Sequence, residues 1–171
     1  MKNGKLIAVS AVSTALGVVF IVIGAYFQTF DLSALFMASL TVTLPLSKNS
    51  VKGSILTYLA TAILSFLFAT SRFYLPLLYL LFFGLHPILN YFQFKDGKNR
   101  WYFFIIKGVL FVGACYLMCF VFSMFTFENQ FVIDILPVLV FVLGTLFYIV
   151  YDFVIIRFQK MSNSIIKRLG L

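Results

Sequence analysis

Several sets of residues in this chain have types and spacings that could do chemistry. Lys107 and Asp152 are ionisable residues set inside long apolar runs. A charge there is costly unless it is paired. The two sit at similar depths in their runs, so a salt bridge between two helices is expected. His86 and Asn90 lie four residues apart on one helix face, beside Pro87. They read as a packed polar patch next to a proline kink. A third set gathers at the ends of apolar runs: Gln28, Asp31, Arg72, Tyr74, Glu128, Asn129, Gln130 and Asp134. Asp134 falls about one turn into its run, where a lone carboxylate is expensive but the helix dipole favours it. Arg72 would pair with Asp134 or meet a substrate carboxylate. The fourth set is a stripe of small residues near the start, with Ala8, Ser10, Ala11, Ser13, Thr14, Ala15 and Gly17. Ala11 and Ala15, and Ser13 and Gly17, are small-xxx-small pairs. Such pairs let helices approach closely in lipid, within one bundle or against a partner.

Other chemistries have no residues to carry them. The chain has no G-x-x-x-x-G-K-[ST], no H-E-x-x-H and no G-x-S-x-G, and His86 is its one histidine. P-loop ATP binding, zinc hydrolysis and serine-hydrolase chemistry are therefore not expected. Cys115 and Cys119 share a helix face but fall short of the four ligands of structural zinc. They read as small packing residues. The expectation is a protein that is not an enzyme and carries no metal or cofactor.

The elements that must position these residues follow from composition. The chain of 171 residues is 63% hydrophobic and 11% charged, with mean hydropathy +1.07. Soluble domains run at roughly 45–50% apolar and about 25% charged. A water-soluble globule and a disordered chain are both excluded. The composition points to an all-α polytopic membrane protein, a single transmembrane domain over 1–171. Crossing the hydrocarbon core takes about 20 apolar residues. Six runs qualify: Leu6–Gln28, Leu32–Leu46, Gly53–Thr70, Phe73–Tyr91, Trp101–Phe125 and Phe131–Ile156. The second is short, since a helix of that length rises only about 23 Å, and it must thin the bilayer, extend into its flanks or be partly re-entrant.

The basic residues support this count. With the N-terminus inside, eleven of the thirteen Lys and Arg fall in inside segments. Arg72 alone falls outside, and Lys107 lies within a span. That is a strong positive-inside asymmetry, and it places both termini in the cytoplasm. The net charge of +8 is thereby read as membrane topology, with the lipid bilayer rather than nucleic acid as partner. The first run exceeds the 7–15 residues of a signal-peptide core, so a retained span is expected. The third set above then forms an outside rim that could close over a small solute.

Six short spans, inside ends, the pair Ala11-x-x-x-Ala15 and a chain this short resemble the S components of energy-coupling factor (ECF) transporters. The stretches Gly53-Ser54-Ile55-Leu56-Thr57-Tyr58-Leu59-Ala60-Thr61-Ala62-Ile63-Leu64-Ser65 and Leu78-Tyr79-Leu80-Leu81-Phe82-Phe83-Gly84 are similar to uncharacterised bacterial members of that group. The resemblance implies capture of a vitamin-like small molecule from outside in a bacterial plasma membrane. It implies delivery inward together with a T component and two ABC-type ATPases. Ala11 and Ala15 would dock on the T component. Asp31, Arg72, Tyr74, Tyr79, Glu128, Asn129 and Asp134 would line or close the solute site. The metal-binding members use a histidine in an N-terminal extension. This chain begins Met1-Lys2-Asn3-Gly4-Lys5, so nickel or cobalt is not expected. The alternative is a structural or accessory subunit of another membrane complex, with no transport substrate.

Overall fold

The computed structural model describes the backbone of residues 2–95, 100–126 and 130–168; the side chains at 2, 3, 28, 121–137, 162, 163 and 165–168 are outside the described set. The helices among these residues are α1 (Lys2–Tyr26), α2 (Asp31–Thr41), α3 (Thr43–Ser47), α4 (Val51–Phe68), α5 (Tyr74–Leu78), α6 (His86–Gln93), α7 (Tyr102–Thr126) and α8 (Gln130–Arg168). A helix closes its backbone hydrogen bonds on itself, which is what an apolar segment needs where no water can serve it. Among the described residues, five helices are long and apolar enough to cross a membrane: Gly4–Tyr26, Val51–Phe68, Tyr74–Gln93, Tyr102–Phe120 and Val138–Met161. The apolar segment Asp31–Ser47 is shorter, as expected for the second run. The last helix goes further than the sequence suggests. It continues to Arg168, past Ile156, where the sixth apolar run ends.

Prolines explain the breaks. Pro45 has no N–H for the Thr41 carbonyl, and its ring crowds that carbonyl. The helix accordingly changes from α2 to α3 at Val42. Pro87 does the same to the Phe83 carbonyl. The turn before it widens into a π-helical segment, Tyr79–Phe83, closed by Gly84 N–H donating to the Tyr79 carbonyl at 2.8 Å. α6 starts immediately after, with Pro87 in its first turn.

Facing residues set the direction of each helix. Gly24 meets Ala34 and Gly17 meets Thr41, so α2 runs antiparallel to α1. Gly53 meets Ser10 and Gly17 meets Thr61, so α4 runs parallel to α1. Phe82 packs on Phe111 with ring centroids 4.7 Å apart, and Lys107 bonds Asn90. α7 therefore runs antiparallel to α6. α8 returns antiparallel to α7, with the Tyr148 hydroxyl donating to the Phe104 carbonyl at 2.6 Å. This alternation collects Lys5, Lys48, Lys52, Lys95, Arg100, Arg157 and Lys160 at one end of the bundle. Asp31 and Arg72 lie at the other.

The stripe of small residues on α1 divides between two faces. Ser10, Ser13 and Gly17 are buried, while Ala8, Ala11 and Ala15 are exposed. A Cβ on Gly17 would lie 2.9 Å from Thr61 Cγ2, and one on Gly24 would lie 2.7 Å from Ala34 Cβ. No side chain larger than hydrogen fits without separating the helices. The inner seam is finished by hydroxyl residues of α4, with Thr57 Oγ1 donating to the Ser10 carbonyl at 3.3 Å.

Candidate functional site

The rim residues that the structure describes form a single cluster. Asp31 opens α2, where the helix N-terminus favours a carboxylate. Arg72 sits in the one-turn 3-10 helix Thr70–Arg72 between α4 and α5. Its Nη1 reaches Asp31 Oδ1 at 3.1 Å and Oδ2 at 3.3 Å. The Tyr74 hydroxyl donates to Asp31 Oδ2 at 2.5 Å and accepts from Arg72 Nη1 at 3.4 Å. The cluster thus ties the α1–α2 connection to the α4–α5 connection. Arg72 takes Asp31 as a carboxylate partner, a pairing the sequence did not suggest. Asp134 lies in α8 with its side chain outside the described residues, as Glu128 and Asn129 are altogether.

Tyr79 stands apart from this cluster. It is fully buried, in the π-helical segment, and its ring packs near Tyr58 at 6.1 Å between centroids. Its hydroxyl faces Thr61 without a hydrogen bond of good geometry. Ala11 and Ala15 are on the outer face of α1, away from both polar clusters.

The second cluster lies inside the bundle, toward its basic end, and joins two features that the sequence left separate. Lys107 of α7 donates to Asp152 Oδ1 of α8 and to Asn90 Oδ1 of α6. His86 Nε2 lies 2.9 Å from the same Asp152 oxygen, off the axis of a well-aligned bond. His86, Asn90 and Lys107 are fully buried, and Asp152 nearly so. The i, i+4 spacing on α6 presents His86 and Asn90 together to the ion pair. The widened turn and Pro87 set the start of α6 and so the rotation of that face. A lysine ammonium bonded to two oxygen acceptors beside an imidazole is a compact polar unit. It can hold α6, α7 and α8 in one register, and it offers protonatable groups in contact with one another.

Aromatic rings wall this cluster. Phe82, Phe83, Tyr148 and Tyr151 surround it, with the His86 and Tyr151 rings 4.8 Å apart. The Tyr151 hydroxyl lies 3.2 Å from Ser39 Oγ, which brings α2 into the same unit. Sequence reasoning missed Tyr148 and Tyr151. Their spacing from Asp152, one turn before and adjacent on α8, was the available signal.

Cys115 and Cys119 are free thiols, and no group of three or more His, Cys, Asp or Glu able to hold a metal occurs among the described residues. No protein-family model, no curated protein and no solved structure matches this chain.

Proposed function

We propose that the chain is the membrane-embedded substrate-capture subunit of an ECF-type importer. It binds a vitamin-like small molecule from outside and delivers it inside with a T component and two ABC-type ATPases. In this reading it crosses a bacterial plasma membrane six times, with both termini cytoplasmic. The observation that carries the reading is the two-faced α1. Ser10, Ser13 and Gly17 are consumed by packing against α2 and α4, while Ala8, Ala11 and Ala15 remain exposed on the opposite side. Exposed small residues at helical spacing are what a second membrane helix needs for close approach. The Asp31–Arg72–Tyr74 cluster would act as a closure across two connections at the outer end.

A second reading is a structural or accessory subunit with no transport substrate. One observation favours it: Asp31, Arg72 and Tyr74 bond to one another, as rim residues with no solute to hold would do.

Affinity purification of the tagged protein in mild detergent, followed by mass spectrometry, separates the two. The importer reading expects two ABC-type ATPases and a T-like membrane protein. Ala11→Trp should remove them while leaving the thermal midpoint unchanged, because Ala11 faces outward. Absence of the ATPases overturns the importer reading. A different set of stoichiometric membrane partners would then establish the accessory one.

A further inference from the structure

The basic end of the bundle contains a cavity of about 310 Å³ where the ends of α3 and α6 meet the later turns of α8. Asn49, Asn90, Phe94, Lys95, Gln159 and Lys160 are among the residues lining it. No carboxylate lines it among the described residues. Asn90 belongs both to this cavity and to the interior ion-pair cluster. Its Oδ1 accepts from the Lys107 ammonium, and that bond determines which way the amide points. The end left over is Nδ2, which can only donate, and it has no partner among the described residues although it is buried. Asp152 is already engaged by Lys107 and His86.

The missing partner is therefore an acceptor, and the surrounding charge says which kind. Lys95 and Lys160 both border the cavity, with the Lys160 ammonium held over the Phe94 ring at 5.6 Å. Among the described residues, the C-terminal carbonyls of α6 offset part of this charge, but one helix end does not cancel two ammoniums. Donor-bearing side chains line the space from three elements: Asn49 after α3, Asn90 and Lys95 from the α6 side, and Lys160 from α8. A planar carboxylate is approached mainly in its own plane, whereas a phosphate presents oxygens in several directions. Basic pockets between membrane helices also match the headgroups of anionic lipids.

We propose that this cavity binds a phosphate-bearing anion, with Lys95 and Lys160 neutralising its charge and the Asn90 amide as the donor at its floor. The phosphate could come from a lipid headgroup in the adjoining leaflet or from a soluble solute. The site is distinct from the rim and from the α1 alanine face, and it does not depend on the importer reading.

Native mass spectrometry of the delipidated full chain tests it, with phosphatidylglycerol, phosphatidylcholine and inorganic phosphate titrated separately. The expected result is binding of phosphatidylglycerol in preference to phosphatidylcholine, or binding of inorganic phosphate. Lys95→Gln/Lys160→Gln should weaken it about tenfold, corresponding to roughly 1.4 kcal/mol. Lys5→Gln/Lys52→Gln makes the same charge change at the same end, outside the cavity, and should leave binding unchanged. Phosphatidylglycerol retention with no inorganic phosphate bound assigns a headgroup. Binding of inorganic phosphate assigns a soluble anion. No preference for either anion, or equal weakening in both double variants, overturns the proposal.

Discussion

The rim and the interior of this bundle use nearly the same parts under different conditions. Each joins a cation to a carboxylate and adds further polar side chains: Arg72, Asp31 and Tyr74 at the rim, and Lys107, Asp152, His86 and Asn90 inside. The rim side chains of Arg72 and Asp31 are 15% and 23% exposed, whereas those of Lys107 and Asp152 are 0% and 5%. Water competes with the first pair and screens it. The second pair has no such alternative, so each member depends on the other. The chemistry is shared, and burial decides whether it adjusts the fold or is required by it.

The largest expected effect comes from breaking the interior pair on one side. Asp152→Ala leaves the Lys107 ammonium buried without its carboxylate, and should destabilise the protein by about 3–5 kcal/mol. A large drop in thermal midpoint in detergent would show it. Lys107→Met/Asp152→Leu removes both charges and should recover more than half of that loss, because an apolar pair carries no desolvation cost. If the double variant is as damaged as the single one, the pair's weight lies in shape rather than charge. At the rim, Tyr74→Phe removes one donor to a carboxylate that keeps its arginine, and should cost about 1 kcal/mol. Arg72→Gln should cost still less, roughly 0–1 kcal/mol as for partly exposed ion pairs. High salt should shrink that difference from wild type further, while leaving the Asp152→Ala difference unchanged. A rim substitution as damaging as Asp152→Ala would erase the contrast between the two regions.

Much of the architecture was legible in the residues. Apolar runs of about 20 residues located the long helices, because a bilayer-crossing helix has few other compositions open to it. Pro87 marked one interruption, since a missing N–H acts locally and does not wait for tertiary structure; the break before Pro45 was not read in advance. The similar depths of Lys107 and Asp152 suggested their pairing, because an unpaired charge at either position is expensive. The π-helical widening before Pro87 was not legible. It depends on how the Phe83 carbonyl relaxes against the packed rings around it.

The candidate sites were legible only as separate lists. Ser13–Gly17 and Ala11–Ala15 obey the same spacing rule, yet only the first pair is packed inside. Two residues of offset turn a helix by about 200°, so the two pairs face opposite ways, and either face was chemically able to go inward. Arg72 meets Asp31 because the short turn after α1 brings the start of α2 back to the α4–α5 connection, a pairing that residue spacing did not suggest. His86 and Asn90 looked like a packed patch beside a kink until α8 placed Asp152 against them.

The amino-acid sequence alone determined that this chain is helical and apolar, where its helices are interrupted and which end collects its positive charge. Those properties follow from local hydrogen bonding, covalent geometry and transfer free energy, all of which act on single residues or short runs. Only the tertiary structure decided which face of α1 is open, which carboxylate holds Arg72, and that His86, Asn90, Lys107 and Asp152 are one cluster. Each of those depends on the rotation and depth of helices far apart in the chain. Packing complementarity sets both, and residue type and spacing do not.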